Sequence, residues 1–223
     1  MRAWLSWLKG ASYFGHAIVN PVDTLLLHFA KPYQIEVLRS AGIPVPETLV
    51  TSRPEELRTF CEQREVVYKP VAGGALCRLV TPQDFDAERL SALQTAPVQF
   101  QEYIPGDDLR VFVLNRQAIA AFLVGGEGVD YRSNTTRLEA VSIAPDVAEL
   151  CVNACDALGL VFSGVDLKLR PDGSVVLIEC NPSPMFEGFD RVAPVSVVSQ
   201  LARYLIETAH LQQKERGKHR IPV

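Results

Sequence analysis

The sequence predicts an α+β fold. Strand-length apolar runs and helix-length periodic segments both occur along the chain, and its second half is dominated by strand–turn–strand hairpins rather than strand–helix–strand units. Its 223 residues, 48% of them hydrophobic, are enough for one compact domain or two small lobes.

The elements follow in order. Trp4, Leu5 and Leu8 share a helical face at the start of the chain, which suits core docking or a subunit contact better than membrane insertion. Residues 22–41 read as helical with a break near Lys31-Pro32, because proline is best tolerated in a first turn. Gly42 ends that helix, and Pro44-Val45-Pro46 opens an extended segment to Val50. Thr51 or Ser52 caps a helix to about Gln63, with Pro54 and Glu55 in its first turn. Residues 66–70 form a short buried strand, Leu79-Val80 another, and 84–93 a helix. Strands over 98–104, 109–114 and 117–124 come next, the last two joined by an Asn115-Arg116 hairpin turn. Residues 145–158 are helical, with Gly159 as the residue after the C-cap. A hairpin turning at Arg170-Pro171-Asp172-Gly173 follows, and 195–209 close the chain as an amphipathic helix. There is no internal repeat and no low-complexity linker.

Charge and cysteine content narrow the function classes. A net charge of −4 and a pI of about 5.6 argue against nucleic-acid binding as the main activity. The basic segment 214–220 reads as a solvated tail. No apolar run of 18 residues exists, so no membrane span is expected. The five cysteines have no zinc-type spacing; Cys151 and Cys155, at helical i,i+4 positions, read as core thiols, and a reducing cytoplasm is the expected location. Cys180 lies between two polar neighbours, and strand alternation points it into the core, so it is not expected to act as a nucleophile.

The hairpin carries the chemistry. Asp166 and Glu179 lie near one end of it, with Asn181 just beyond; Val165, Leu167 and Leu169 are expected on one face, as are Val175, Leu177 and Glu179. Three oxygen-bearing side chains there suit Mg²⁺, a hard cation that shares its remaining positions with phosphates and water. The plainer alternative is an exposed hairpin end with ordinary carboxylates. Lys69 ends a buried strand ahead of Pro70-Val71-Ala72-Gly73-Gly74, where a lysine reaches toward polyphosphate and glycines admit backbone N–H groups. Lys31 is a second candidate cation, although single lysines are most often surface residues. Residues Gln101, Glu102, Tyr103 and Ile104 read as a strand leaving a lobe, its backbone able to pair with an adenine edge, or simply as a strand before the Pro105-Gly106 turn.

In chain order, Lys31, Lys69, 101–104, Asp108-Leu109-Arg110, Tyr131-Arg132-Ser133-Asn134, Asp166 and Glu179-x-Asn181 resemble the RimK-like branch of the ATP-grasp superfamily. The resemblance runs from about residue 20 to residue 190. It is closest at Lys31, at 41–46, at Asp108-Leu109-Arg110 and at 179–188. It implies a two-lobed ATP-grasp fold with the nucleotide between the lobes, and the chain divides on this basis into a docking segment (1–30), an N-terminal lobe (31–102), a C-terminal lobe (103–212) and a tail (213–223). By the same resemblance Lys31 and Lys69 contact ATP phosphates, Glu102 and Ile104 present the adenine connection, and Asp108 lies near the ribose or substrate mouth. Asp166, Glu179 and Asn181 would hold Mg²⁺. The implied reaction joins a carboxylate to an amine through an acyl phosphate, with ATP and Mg²⁺ as cofactors. Arg110 and Arg132 are candidates to grip the carboxylate and steady the acyl phosphate, with Asn134 adding a hydrogen bond; the structural alternative is that both arginines form strand salt bridges.

Two departures from the family pattern stand out. Only about thirty residues precede Lys31, where relatives carry a whole N-terminal domain, so a homodimer or partner subunit is expected to cover the exposed face, with Trp4, Trp7, Tyr13 and Phe14 at the contact. Ala75-Leu76-Cys77-Arg78 stands where more glycines are usual, which bears on how well the loop covers ATP. Expected substrates are small-molecule, peptide or protein carboxylates and amines. The alternatives are a nucleotide-binding pseudoenzyme or subunit of a larger assembly, and an ATP-grasp kinase.

Overall fold

The structure, a computed structural model, describes residues 2–71, 77–126 and 135–218. Helix α1 (Arg2–Tyr13) is followed by a 3-10 turn at Val22–Phe29 and by α2 (Lys31–Ser40). The break falls at Ala30, so Pro32 sits in the first turn of α2, where its missing N–H costs nothing. Strand β1 (Thr48–Thr51) and helix α3 (Pro54–Cys61) follow, then β2 (Val66–Pro70), β3 (Arg78–Leu79), α4 (Ala87–Leu93) and β4 (Val98–Glu102). The single helix expected over 84–93 is two pieces, because Asp84 closes a capping box on Thr81 and Asp86 leaves helical geometry before α4.

These four strands make a sheet in the order β1-β4-β2-β3. Phe100 of β4 packs with Leu57 of α3, Leu93 of α4 and Val66 of β2, so both helices cover one face of this sheet.

The second sheet is antiparallel, in the order β7-β6-β5-β8-β9. It comprises β5 (Asp107–Leu114), β6 (Gln117–Gly126), β7 (Thr135–Ala140), β8 (Phe162–Leu169) and β9 (Val175–Asn181), with α5 (Pro145–Ala157) between β7 and β8. Asn115 and Arg116 both have positive φ, the two-residue turn that matches strand twist. The segment 125–136 belongs to strands at both ends: Gly125 pairs with Arg137 and Gly126 with Thr135. Helices α6 (Glu187–Asp190) and α7 (Val197–Lys218) complete the chain.

Both faces of the five-stranded sheet are covered. On one, Val111, Val165, Leu167, Leu177 and Cys180 pack against Leu38 of α2 and Cys151, Ala154 and Cys155 of α5. Helix α2, placed with the first lobe on sequence grounds, therefore seats its apolar side on the second sheet. On the other, Phe112, Phe122 and Phe162 meet Phe186, Phe189 and Val197; the Phe112 and Phe122 rings are edge-to-face at 5.9 Å. The outer edge of β9 is closed by α2 and the segment after it: Leu177 N–H donates to Pro44 O and Cys180 N–H to the Gln34 side chain.

Alternation in β9 is interrupted. Asp166 pairs with Glu179, but Leu167 pairs with Leu177, leaving Ile178 as an extra residue in a bulge. Glu179 was expected on the face of Val175 and Leu177; the bulge turns it to the opposite face, beside Asp166. Cys180 follows on the core side, as expected. Burial pushes the Cys151 thiol up to about 12, and the Cys155 contact, with burial, holds Cys180 well above the usual thiol range, so neither is a thiolate at neutral pH.

At the start of the chain, Leu5 and Leu8 are half-buried, while Trp4, Trp7, Tyr13 and Phe14 are exposed. Core docking of α1 thus does not extend to Trp4. Among the described residues, no helix is long and apolar enough to cross a membrane.

Candidate active site

The bulge at Ile178 and ordinary strand alternation assemble one polar row across the second sheet. Arg110 of β5 lies opposite Asp166 of β8, which lies opposite Glu179 of β9. Arg110 donates from Nε to Asp166 Oδ1 at 2.5 Å and from Nη2 to Oδ2 at 2.8 Å, a bidentate pair. Lys31, the first residue of α2, reaches over the β9 edge to form an ion pair with Glu179. Two adjacent carboxylates are thus flanked by two cations within one partly buried patch. Burial pushes the Asp166 carboxyl up, Arg110 opposes the shift, and the neighbouring Glu179 adds to it.

Arg110 is held on every side. Its guanidinium lies 5.5 Å from the centre of the Phe189 ring and 6.0 Å from that of Phe112. Gly164, two residues before Asp166, leaves the space: a Cβ there would stand 2.9 Å from Arg110 Nη1 and 2.8 Å from Pro184 Cβ. Phe189 was not singled out from sequence. A second cross-strand pair, Asp108 with Lys168 at 2.8 Å, occupies the adjacent row of the same face. Lys168 was also missed, although Asp166-x-Lys168 alternation places both on one face.

Asn181 sits beside Gly164, its Oδ1 accepting from Ser183 N–H at 3.0 Å. Lys69 lies in β2, across from Gln99 of β4. At the end of β4, Gln101 donates to Thr48 Oγ1 at 3.0 Å and Glu102 N–H bonds to Glu47 O; in the connection that follows, Tyr103 N–H bonds to Glu65 O and Ile104 is buried. The Glu102 carboxylate faces Arg170 at 4.0 Å. Arg132 and Asn134 lie outside the described residues, as do Ala75 and Leu76; Arg78 opens β3 with an exposed side chain. A pocket of about 400 Å³ lined by Leu49, Phe60 and Arg64 lies on the α3 side, away from the polar row.

Asn20 is another residue without a sequence signal. Buried at the base of the site, it donates to Phe162 O and Pro182 O, each at 2.6 Å, and accepts from Val161 and Phe162 N–H. It fastens the start of β8 to the segment leaving β9.

The donor set fits Mg²⁺. Asp166 and Glu179 offer carboxylate oxygens side by side and Asn181 an amide oxygen next to them, all hard ligands. The buried clash between the two carboxylates is of the kind a divalent cation relieves.

The chain matches the RimK-like ATP-grasp domain over residues 30–205. The chain belongs to the RimK-like ATP-grasp family. Among solved structures, the ATP-grasp ligase PsnB complexed with a phosphomimetic variant of its minimal precursor, Mg and ADP is 37% identical with a TM-score of 0.85, covering 93% of this chain and 67% of that one. The tetrahydromethanopterin:alpha-L-glutamate ligase of Methanocaldococcus jannaschii is 28% identical over 87% of this chain and 72% of its own length. The macrocyclase MdnC of Microcystis aeruginosa, bound to its precursor peptide MdnA, shares the fold at 21% identity and a TM-score of 0.77, covering 92% of this chain and 69% of that one. The chain spans between 61% and 74% of the length of curated relatives. Membership gives this RimK-like chain its reaction class: an ATP-dependent carbon–nitrogen ligase that uses ATP and Mg²⁺ and forms an amide bond.

Proposed function

We propose that this RimK-like protein activates a carboxylate of a peptide and joins it to an amine. The observation that carries the proposal is the single row of Lys31, Glu179, Asp166 and Arg110 on one sheet face, the arrangement this reaction needs. The peptide class is supported by the higher identity to PsnB, whose complexes hold a precursor, than to the glutamate ligases.

The chemistry follows from charge. Attack of a carboxylate on a γ-phosphate brings anions together, so catalysis consists of neutralisation and in-line positioning rather than a protein nucleophile. Mg²⁺, when bound, would supply neutralisation of phosphate charge. Asp166, Glu179 and Asn181 would hold that ion, while Lys31 exchanges its Glu179 contact for a phosphate and Lys69 approaches from the other sheet. Residues 101–104 receive the adenine, and Asp108 with Lys168 borders the ribose or substrate mouth. Arg110, pre-aligned by Phe112 and Phe189, steadies the activated carboxylate together with Arg132 and Asn134. Two lobes, meeting at the connection after β4, frame the site. The core thiols Cys151, Cys155 and Cys180 remain unbridged, in keeping with a cytoplasmic location. The exposed Trp4, Trp7, Tyr13 and Phe14 offer a face to a second subunit.

The test incubates the protein with ATP, Mg²⁺ and candidate peptides bearing carboxylate and amine side chains, following ADP release and product mass. ADP release with loss of one water from the peptide is expected. A stable phosphate adduct would instead indicate a kinase, and nucleotide binding without turnover of any peptide a binding module.

A further inference from the structure

Gln99 stands mid-strand in β4, inside the four-stranded sheet, across from Val50 of β1 and Lys69 of β2. Directly paired residues share a face, so Gln99 and Lys69 point to the same side, opposite the face where Phe100 packs under α3 and α4. Gln99 is 0% exposed, and among the described residues neither its Nε2 nor its Oε1 has a hydrogen-bond partner.

The other glutamines that the fold uses behave differently. Gln34 donates to Leu27 O and accepts from Cys180 N–H; Gln101 donates to Thr48. His28 and Gln200 each leave one buried atom without a partner, whereas Gln99 leaves both ends of its amide. An apolar side chain of similar size would remove that cost, so an amide kept there points to a ligand that supplies the missing bonds.

The ligand must donate and accept at adjacent positions. A phosphate only accepts, and a ribose hydroxyl is a single atom that meets one end of the amide. The N6/N7 edge of adenine presents an amino donor beside a ring acceptor and pairs with glutamine through both ends; guanine presents acceptors at both positions. We propose that Gln99 reads this edge of the bound nucleotide, Nε2 donating to N7 and Oε1 accepting from the N6 amino group, and so sets the preference for ATP over GTP. The inference rests on the ATP site proposed above and adds a side-chain determinant to the backbone of 101–104.

The test is direct binding with Mg²⁺ present, comparing ATP, GTP and 7-deaza-ATP on wild type and Gln99→Leu. Wild type is expected to bind ATP about tenfold or more tighter than either analogue, the discrimination a two-point pair provides. Gln99→Leu should bind ATP and 7-deaza-ATP alike and narrow the gap to GTP, which the backbone of 101–104 still reads, and in the absence of nucleotide should melt at or above the wild-type temperature. If wild type binds ATP and 7-deaza-ATP equally, the Gln99 assignment is overturned without recourse to any variant. A preference for ATP over 7-deaza-ATP that survives Gln99→Leu overturns it as well and leaves the site itself standing. Failure of wild type to bind any nucleotide overturns the ATP site and this inference together.

Discussion

Arg110 and Asp166 grip each other through two parallel hydrogen bonds across neighbouring strands, so a candidate catalytic cation and a candidate metal ligand form one unit. Neither side chain can be changed without affecting the other's position and charge. Asp166→Asn keeps the shape and loses the charge. Its expected effect is loss of ATP turnover by about 10² or more with the fold retained. Arg110→Ala should lose amide formation while ATP with Mg²⁺ still raises the melting temperature. ADP release and thermal melts on the two variants check both statements; unchanged turnover in Asp166→Asn would remove Asp166 from the proposed metal site.

Gly164→Ala tests whether the placement of Arg110 matters, independently of its charge. The added methyl would stand 2.9 Å from Nη1 and 2.8 Å from Pro184, so the guanidinium must move. A displacement of this order is expected to lower kcat by about tenfold or more, with ATP affinity largely unchanged. Steady-state kinetics and a nucleotide titration on the same preparation separate the two quantities. A fall in affinity alone would place Arg110 against the nucleotide instead of the carboxylate.

Asn20→Ala should be among the most destabilising single substitutions. It withdraws four hydrogen bonds from backbone groups at the roots of β8 and β9. The expected loss is about 2–5 kcal/mol, since orphaned buried groups cost more than exposed ones. Denaturant unfolding measures it, and a loss below about 1 kcal/mol would mean that water replaces the amide.

Acid sensitivity of the first sheet should trace to Asp84. Partial burial pushes its carboxyl up, but hydrogen bonds from Thr81, Arg89 and Tyr68 to the ionised form outweigh this and hold it below its ordinary value. A carboxylate with a depressed folded-state value contributes stability above its unfolded value and loses it as pH falls through the folded one. Asp84→Asn should therefore flatten the stability profile below about pH 4, by no more than about 1 kcal/mol because Arg89 is exposed. Parallel acid titrations of wild type and variant, read by circular dichroism, check it.

Much of the fold was legible in the sequence because its punctuation is local. Pro32, the Asn115-Arg116 turn and Gly159 each act within a few residues of themselves, and each sits where it was expected. The site motif around Asp166 and Glu179 was legible for a similar reason: the residues lie in one hairpin. The face of Glu179 was not, because a bulge depends on pairing with β8 rather than on the β9 sequence alone. Strand β7 escaped because Thr136, Leu138 and Ala140 alternate only weakly in polarity. Phe189 and Asn20 act through neighbours far away in the chain, with no spacing to announce them. The seating of α2 on the second sheet is likewise a tertiary outcome, set by Leu38 finding the core beneath β9.

The extra residue in β9 acts like a reading frame for the strand. Upstream of Ile178, Leu177 belongs to the packed interior; downstream, Glu179 belongs to the reactive surface and Cys180 returns to the interior. Strict alternation with Ile178 retained would exchange the two, carrying a carboxylate into the interior and a thiol to the surface; the bulge is what keeps each in place. Which side chain reaches the site is therefore set by the pairing of β9 with β8, where two residues of one strand face a single residue of the other, and not by alternation along β9 alone.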